Sequence, residues 1–511
     1  MILKMLTDSK EINKSRASIF NLVFTYASSF IQIINSIILL PLYLSFFNLA
    51  DYGAWVATAA IIHIFLILDP GLSSITTTKL SQAFANDDDS QFQSVFLSGL
   101  LLAILIAFLI LSLGIVLMFF VPDMVVYSGD RQNEIQLGLL LNVFALAIAP
   151  ITSVLFSFFQ ALLRTFEGNI LYVSSIIISP FVIIFSLYNG LGIASLPIGI
   201  LATNVFALIA YSIAVTYFWG KSTTISFFRL NNLNFGALFR DLKYLYLKRF
   251  SSVLSENLET SIAGIFFNTQ VSGSIAIMKK LISSIQLFSN GVATSTYSSL
   301  SHAFEAKDTA RLKLALNKTI YATDLIQVLG ICSLFLVYKP LLFVWLGQEI
   351  TLGYFFMILL AFSSFVYIKS NLLYTMLTSN GLFKETSLVF ILEIIVRVAG
   401  TYILVNLINL YALPIAALLG SITTLFILSF ILIKRSGISF IEIVLSFNLY
   451  ELVIFISAIF LGYFVIYPST FADALIAISY TLIPFCILVL LGKKFRVFLS
   501  ETYLSYIKKA N

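Results

Sequence analysis

Four charged residues lie inside apolar segments of this sequence, where a lipid bilayer or a protein core would surround them. Glu256 and Glu259 belong to one segment, and Lys279 and Lys280 belong to the next. A charge in such a place is costly unless it is solvated or paired, so these residues indicate a functional site. Carboxylates could take up a proton or Na⁺, and ammonium groups could attract an anion.

Two polar stripes accompany these charges at helical spacing. The first runs along the first apolar segment and contains Asn21, Thr25, Ser28, Gln32 and Asn35. The second places Arg249 and Ser252 on one face with the two glutamates, and Asn257 lies beside it. Such stripes either hydrogen-bond to neighbouring helices or line a water-filled cavity.

Two further pairs of buried charges favour a structural role. Glu393 and Arg397 are four residues apart on one helix, so we expect them to pair with each other. Asp324 and Lys369 lie at matching depths in consecutive apolar segments, which predicts a salt bridge between two helices.

The sequence offers nothing for catalysis or for metal binding. The chain has two histidines, and its two cysteines both lie in apolar runs without the spacing of a metal site or a disulfide framework. No phosphate-binding loop, nucleophile motif or acid pair falls in a water-facing segment. We therefore expect no enzyme activity, no cofactor and no metal.

The composition places the charges in a membrane protein. Of the 511 residues, 59% are hydrophobic and 11% are charged, whereas soluble domains carry about 25% charged residues. Continuous apolar runs of about 20 residues favour helices over a barrel. The sequence predicts an all-α polytopic membrane protein with about fourteen transmembrane helices, near 18–46, 53–79, 94–121, 136–163, 169–188, 194–218, 250–270, 272–300, 316–346, 352–378, 387–409, 413–433, 450–468 and 473–492.

The basic residues orient these spans. Almost every Lys and Arg outside the spans falls on the side of the N-terminus, and Arg131 alone lies on the opposite side. By the positive-inside rule both termini are cytoplasmic. The net charge of +6 therefore reflects membrane orientation and not a nucleic-acid partner.

Four regions follow from the spans. Residues 1–218 form an N-terminal lobe of six helices, and 219–249 form a cytoplasmic amphipathic linker. Residues 250–433 form a C-terminal lobe with helices 7 to 12. Residues 434–511 contain helices 13 and 14 and an amphipathic cytoplasmic tail.

The two lobes carry a sequence repeat. Residues 46–88 match residues 266–308 at 12 of 43 positions without a gap, at a shift of 220, where chance gives about four matches. The same shift superposes Gln32 on Ser252, so the polar faces of helices 1 and 7 are equivalent. We therefore expect one water-filled cavity shared by both halves, in which Lys279 and Lys280 replace Ala59 and Ala60.

Paired interruptions within the repeat predict a hinge. Asp69, Pro70 and Gly71 interrupt the second span, and Ser289-Asn290-Gly291 is the equivalent stretch of the eighth. Paired interruptions in two halves of a transporter indicate a moving or binding region. A kink that serves packing alone is the alternative.

Short motifs in the chain resemble a known family. YGAW at 52–55, LDPGL at 68–72, FVWLG at 343–347 and NGLFKET at 380–386 are similar to the Wzx-type oligosaccharide-repeat flippases. These flippases belong to the multidrug/oligosaccharidyl-lipid/polysaccharide (MOP) exporter superfamily. The resemblance implies two pseudo-symmetric six-helix lobes and a C-terminal helix pair. Helix 1 lacks the acidic residue that drug antiporters of the superfamily often carry.

The resemblance also implies a function. Undecaprenyl-diphosphate-linked sugar repeats, for O-antigen or a similar surface polysaccharide, would cross the bacterial inner membrane by alternating access. Lys279, Lys280 and Arg249 would attract the diphosphate; Gln32, Asn35 and Asn257 would bind sugar hydroxyls; Glu256 or Glu259 would couple an ion. Partners would be the lipid-linked substrate, membrane lipids and the polysaccharide polymerase machinery. The alternative is a proton- or sodium-coupled multidrug or cation exporter of the same superfamily.

Overall fold

The computed structural model describes residues 14–69, 71–127, 129–162, 164–220, 235–295, 309–347, 352–379, 382–436, 449–465, 468 and 470–491. Within these ranges every regular element is a helix, and no residue belongs to a strand. The prediction of an all-α chain is confirmed over the described residues.

Sixteen α-helices lie in the described ranges. In chain order they are α1 Lys14–Phe46, α2 Leu49–His63, α3 Leu72–Ala85, α4 Asp89–Leu117, α5 Val121–Met124, α6 Gln132–Ala161, α7 Thr165–Tyr188, α8 Ser195–Gly220, α9 Phe235–Phe266, α10 Thr269–Ser295, α11 Thr309–Leu346, α12 Tyr354–Ser379, α13 Phe383–Ile408, α14 Ala412–Ser436, α15 Leu449–Phe464 and α16 Phe471–Leu491. Three short 3₁₀ segments join them at Ile64–Leu68, Gly192–Ala194 and Asn409–Tyr411.

Eight stretches of the described residues are long and apolar enough to cross a membrane by length and composition. They are Leu49–Phe84, Asp89–Leu117, Gln132–Ala161, Thr165–Tyr188, Gly192–Trp219, Leu316–Leu346, Tyr354–Thr378 and Lys384–Lys434. Phe30–Phe46 and Phe471–Tyr480 are shorter apolar helices. The chain is therefore a multi-pass membrane protein, and the predicted number of fourteen spans is approximate.

The first compact unit contains Met1–Ile277 and Phe383–Leu413. In its described part, α6 packs against α3, α4 and α8, and α7 packs against α1 and α8. Helix α9 packs against α2 and α13. This arrangement positions the polar face of α9 beside α13, where the charged residues of both helices meet.

The second compact unit contains Met278–Leu382 and Pro414–Asn511. Helix α11 packs against α12, α15 and α16 in its described part. Near one end of α15, the Tyr354 hydroxyl donates to the Ile459 carbonyl at 3.1 Å, and Lys339 donates to the Tyr463 carbonyl at 3.1 Å. The predicted boundaries at 218, 249 and 433 stay a prediction.

Equivalent asparagines begin equivalent helices of the repeat. Asn48 caps α2 by accepting a hydrogen bond from the Asp51 backbone N–H at 2.8 Å. Asn268 precedes α10 and accepts from the Val271 N–H, also at 2.8 Å. Each side chain satisfies one of the backbone donors that a helix start leaves open. The shift of 220 thus relates the two helix starts atom for atom.

Candidate substrate and ion-coupling site

Arg397 of α13 binds two carboxylates and a backbone carbonyl in the first unit. Its guanidinium lies 3.2 Å from Glu259 Oε1 and 3.4 Å from Glu393 Oε1. It also donates to the Ser255 carbonyl at 3.2 Å. The side chains of all three charged residues are 7% exposed or less. The structure therefore adds Glu259 of α9 to the pair that the sequence predicts.

The contacts between α9 and α13 show that the two helices run parallel. The Ser251 hydroxyl donates to the Phe390 carbonyl at 2.5 Å. Seven residues further along α13, Arg397 reaches Ser255 and Glu259, which lie further along α9. Helices in this register can place an acid of one beside a base of the other over several turns.

Lys248 completes the charges at this interface. Its ammonium lies 3.3 Å from the centroid of the Phe390 ring and interacts electrostatically with Glu393. Glu256 also interacts electrostatically with Lys248, so the basic groups Lys248 and Arg397 lie among three acidic groups, Glu256, Glu259 and Glu393. These opposite charges hold α9 against α13.

The other predicted residues of α9 differ in exposure from Glu259. Glu256 is exposed, whereas Arg249 and Asn257 are partly exposed. The Asn257 side-chain amide donates to the Val253 carbonyl of its own helix at 2.9 Å, which leaves its side-chain oxygen as the group that could accept from a ligand.

The polar stripe of α1 lies in the same unit. Gln32 is exposed and donates to the Tyr172 hydroxyl of α7 at 3.2 Å. Asn35 is partly exposed, and Ser28 is buried. The side chains of Asn21 and Thr25 lie outside the described part of the chain.

Lys279 and Lys280 belong to the second unit. Both side chains are partly exposed. The hydroxyls of Ser283 and Ser284 donate to the Lys280 carbonyl at 3.0 and 2.9 Å. The structure thus groups Arg249, Glu256, Asn257 and Glu259 on α9, and groups the two lysines on α10. The shared cavity stays a prediction.

The first predicted hinge has the geometry of a capped helix start. Asp69 Oδ1 accepts from the backbone N–H groups of Gly71 and Leu72, both at 3.1 Å. Gly71 has φ +83°, which favours glycine. Pro70 lies outside the described residues.

The second predicted interruption is absent from the described structure. Helix α10 runs without a break from Thr269 to Ser295, through Gly291. The predicted interruption of the helix at Gly291 was therefore wrong, and a hinge at Gly291 stays a prediction. Ser289 and Asn290 keep the backbone N–H that Pro70 lacks, and an isolated glycine costs a helix only about 1 kcal/mol.

The second predicted ion pair joins α11 and α12 in the second unit. Lys369 Nζ lies 3.0 Å from Asp324 Oδ2, and both side chains are 6% exposed or less. Lys369 Nζ also lies 5.1 Å from the centroid of the Phe365 ring. The aromatic face and the carboxylate together provide the ammonium with a partner on each side.

A network that sequence reasoning missed surrounds Asp51 at the start of α2. The Tyr127 hydroxyl donates to Asp51 Oδ1 at 2.7 Å, and Arg131 Nε lies 3.4 Å from Asp51 Oδ2. Arg131 also binds Glu134, whose carboxylate accepts from the Ile193 N–H at 2.9 Å. Burial and the Asp51 carboxylate raise the pKa of Tyr127 to about 12. The available signal was that Arg131 is the lone basic residue of the segments predicted to lie on the side opposite the N-terminus.

The described residues contain no group of three or more His, Cys, Asp and Glu side chains that could hold a metal ion. The acids of the candidate site instead lie beside basic side chains of the chain itself. The chemistry that the site offers is therefore charge recognition and hydrogen bonding.

Comparisons with known proteins identify the fold. No protein-family model and no curated protein matches the chain. Solved structures do match over most of its length. The lipid II flippase MurJ, in an inward closed conformation, matches with a TM-score of 0.67 and 12% identity, over 92% of this chain and 99% of that chain.

Multidrug resistance transporters of the MATE family in the MOP superfamily also match. An outward-facing structure gives a TM-score of 0.62 over 85% of this chain, and an inward-facing structure gives 0.65 over 82%. Both are 12% identical to this chain and are covered over 98% of their own length. The chain therefore has the fold of MOP-superfamily transporters, which confirms the predicted fold class.

Proposed function

We propose that this protein is a flippase that moves undecaprenyl-diphosphate-linked oligosaccharide repeat units across the bacterial inner membrane by alternating access. Such a substrate joins an anionic, polar head to a long apolar tail. The head requires a hydrated path with basic groups, whereas the tail can remain in the surrounding lipid. The repeat of the two halves suits a transporter that works by alternating access.

The binding of Glu259 by Arg397 carries the proposal. The sequence predicts three basic and two acidic residues for the substrate path, a set whose charges nearly cancel. Glu259 lies 3.2 Å from Arg397, so its charge is compensated within the interface of α9 and α13. Of the remaining residues predicted for the path, Arg249, Lys279 and Lys280 are basic and Glu256 is acidic, for a net charge of 3 − 1 = +2. A basic path favours an anionic substrate.

Each residue of the predicted path has a chemical role in this proposal. Lys279, Lys280 and Arg249 attract the diphosphate through charge-assisted hydrogen bonds. Gln32, Asn35 and Asn257 hydrogen-bond to sugar hydroxyls. Asp69 and Gly71 shape the break between α2 and α3, where one half of the repeat could bend.

The multidrug and cation exporter is the alternative, because MATE transporters share the fold. Such an exporter needs acidic groups that are open to a cationic substrate or a coupling ion. Arg397 binds Glu259, which leaves Glu256 as the one acidic residue of the predicted path. The match to the MurJ flippase also spans more of this chain than the MATE matches do.

A complementation experiment tests the proposal. We expect the Lys279→Ala/Lys280→Ala variant to abolish surface polysaccharide in a host that lacks its own repeat-unit flippase, at wild-type membrane levels. Lys279→Arg/Lys280→Arg should retain it. The matched control is Lys384→Ala/Lys434→Ala, which removes two exposed lysines outside the path. Full polysaccharide from the first variant would refute the basic path.

A drug-susceptibility assay on the same strains separates the two functions. The flippase proposal predicts that expression of the protein gives no resistance to cationic drugs. Resistance that depends on Glu256, in cells without restored polysaccharide, would establish the exporter instead.

The proposal includes a location and partners. We place the protein in the inner membrane with both termini cytoplasmic, next to the machinery that polymerises the exported repeat units. Reporter fusions at residues 1 and 511 would test the orientation. A periplasmic reporter active at either terminus would overturn it.

A further inference from the structure

Tyr172 of α7 is exposed on the side of its helix that faces away from lipid. The exposed apolar residues of α7, among them Ile170, Ile177 and Phe181, form a single stripe along the helix. In a membrane-spanning helix such a stripe faces the lipid. Tyr172 lies about 200° around the helix from Ile170, because each residue turns the chain by about 100°.

The face that carries Tyr172 is otherwise packed. Asn169, Ser175 and Ile176 belong to this face, and each is 7% exposed or less. Tyr172 among them is 38% exposed. An exposed side chain between buried neighbours indicates a local opening on the packed side of the helix.

Gln32 of α1 lies in the same way. It is exposed, and it lies about 200° around the helix from Phe30, which belongs to the exposed apolar stripe of α1. Ser28 and Leu39 share the face of Gln32 and are buried. The Gln32 amide donates to the Tyr172 hydroxyl at 3.2 Å. The two exposed side chains therefore border one opening between α1 and α7, away from the lipid-facing stripes.

Packed aromatic rings hold the Tyr172 ring in place. The centroid of the Phe156 ring lies 6.4 Å from that of Tyr172 and 5.9 Å from that of Tyr211. Tyr211 is buried, and its hydroxyl donates to the Gly168 carbonyl at 3.1 Å. A Cβ atom on Gly168 would lie 3.0 Å from the Phe156 ring, so glycine allows this ring to approach α7. Tyr172 thus offers a rigid aromatic surface.

The helices around the opening carry no charge at this depth. Residues 17–46 of α1 and 168–188 of α7 contain no Asp, Glu, Lys, Arg or His, and neither do residues 135–161 of α6 and 195–220 of α8. A diphosphate would find no basic group here. A cation can pack on an aromatic face, but it would find no carboxylate to balance its charge. The opening therefore suits an uncharged polar group.

We propose that Tyr172 and Gln32 form a binding surface for an uncharged sugar ring, and that Tyr172 contributes to the choice of sugar. The face of a sugar ring presents C–H groups, which pack against an aromatic ring, and its edge presents hydroxyls. Gln32 keeps its side-chain oxygen and its second N–H for these hydroxyls. The inference rests on the proposed flippase function and assigns the sugar part of the substrate to α1 and α7.

Cysteine labelling tests the opening without any substrate. In a Cys332→Ala/Cys486→Ala background, which removes both cysteines of the chain, Tyr172→Cys is compared with Ile177→Cys on the lipid-facing stripe. A sulfonate-bearing methanethiosulfonate, applied to permeabilised membranes, reacts with the thiolate in water. We expect Tyr172→Cys to react about ten times faster, because lipid excludes both the reagent and the thiolate. Equal rates at the two positions would remove the opening from the proposal's support and overturn it.

Saturation-transfer NMR tests the contact with sugar. The probes are methyl glycosides of hexoses and N-acetylhexosamines, added to the protein in lipid nanodiscs while its aromatic protons are saturated. We expect transfer to the ring C–H protons of at least one glycoside in the wild type and in the matched control Tyr188→Ala, which removes an exposed tyrosine of the lipid-facing stripe. Transfer should fall to background in Tyr172→Ala. Background transfer in the wild type, or equal transfer in both variants, would refute the surface.

Polysaccharide complementation connects this surface to transport. Tyr172→Phe keeps the ring and should retain most of the surface polysaccharide, whereas Tyr172→Ala should lower it about tenfold. Full polysaccharide from Tyr172→Ala would contradict a role in transport. The two proposals can fail separately. Full polysaccharide from Lys279→Ala/Lys280→Ala, with the sugar signal lost in Tyr172→Ala, would refute the basic path and leave the sugar surface intact.

Discussion

Gly53 of α2 and Gly273 of α10 are in contact through their backbones. A Cβ atom on Gly53 would overlap the Thr269 carbonyl oxygen and would lie 2.8 Å from the Gly273 nitrogen. A Cβ atom on Gly273 would lie 2.9 Å from the Leu49 carbonyl oxygen and 3.1 Å from Gly53 Cα. The two glycines are equivalent in the repeat, because 273 − 53 = 220. Within the first unit, the two copies of the repeat therefore cross at the same residue.

The crossing predicts a ranked effect of alanine substitutions. Gly53→Ala should lower the free energy of unfolding by about 3 kcal/mol, because its methyl group meets a backbone carbonyl that cannot move aside. Gly273→Ala should cost less, about 1 kcal/mol, because its nearest contact is 2.9 Å. Thermal unfolding in detergent measures both. Equal stability of the two variants would contradict the crossing.

The contact between Gly264 and Ala57 predicts a rescue. A Cβ atom on Gly264 would overlap the Ala57 Cβ, so Gly264→Ala should destabilise the protein by about 1–3 kcal/mol. Adding Ala57→Gly removes the overlapping methyl group and should recover most of that loss. Unfolding of the wild type, both single variants and the double variant completes the cycle. A double variant no more stable than Gly264→Ala would argue against the contact.

Removal of Arg397 should lower the free energy of unfolding, because two buried carboxylates lose their shared guanidinium. Arg397→Met leaves Glu259 and Glu393 without the guanidinium that binds both, and we expect a loss of about 3–5 kcal/mol. Replacing both acids by glutamine in the Arg397→Met background should restore stability. The measurement is thermal unfolding, and the control is Arg249→Met, which alters a partly exposed residue of α9. Equal losses in Arg249→Met and Arg397→Met would contradict a special role for the buried group.

Removing one partner of the Asp324–Lys369 pair should lower the free energy of unfolding more than removing both partners does. Asp324→Leu alone removes the carboxylate that neutralises the buried Lys369 ammonium. Lys369→Met alone removes the ammonium that neutralises the buried Asp324 carboxylate. Each should cost about 3–5 kcal/mol, whereas the double variant should lie near the wild type. Unfolding in detergent at neutral pH distinguishes these cases. Additive losses in the double variant would show that the side chains do not interact.

Tyr127 should stabilise the folded protein at neutral pH and lose this contribution at alkaline pH. Its folded pKa of about 12 exceeds its ordinary value of 10.0, so the folded state holds the phenolic proton more tightly than the unfolded chain does. The contribution is present below pH 10 and is lost as the pH rises through 12. The difference in unfolding temperature between the wild type and Tyr127→Phe should therefore shrink over this range. A constant difference would refute the assignment.

Several features of the fold follow from the sequence because they depend on local or periodic patterns. The apolar runs predict the helices, and the 220-residue shift anticipates that Asn48 and Asn268 begin equivalent helices. Matching depths in consecutive spans anticipate that Asp324 and Lys369 can meet, and the structure separates them by 3.0 Å.

Other features depend on packing between distant segments. Arg397 has a local partner at Glu393, and nothing in the sequence indicates that α9 packs beside α13 and adds Glu259. The repeat suggested a second interruption at Gly291, yet the helix continues there because the stretch lacks a proline.

The Asp324–Lys369 pair also bears on how the chain enters the membrane. Each of α11 and α12 carries a charge that disfavours insertion of that helix alone, by about 2.5–3.5 kcal/mol at the centre of a span. Once both helices are present, the opposite charges neutralise each other within one hairpin. Synthesis that stops after α11 would therefore leave an unpaired acid in lipid, a signal by which membrane quality control can recognise an incomplete chain. We therefore expect α11 and α12 to insert into the membrane together as one hairpin.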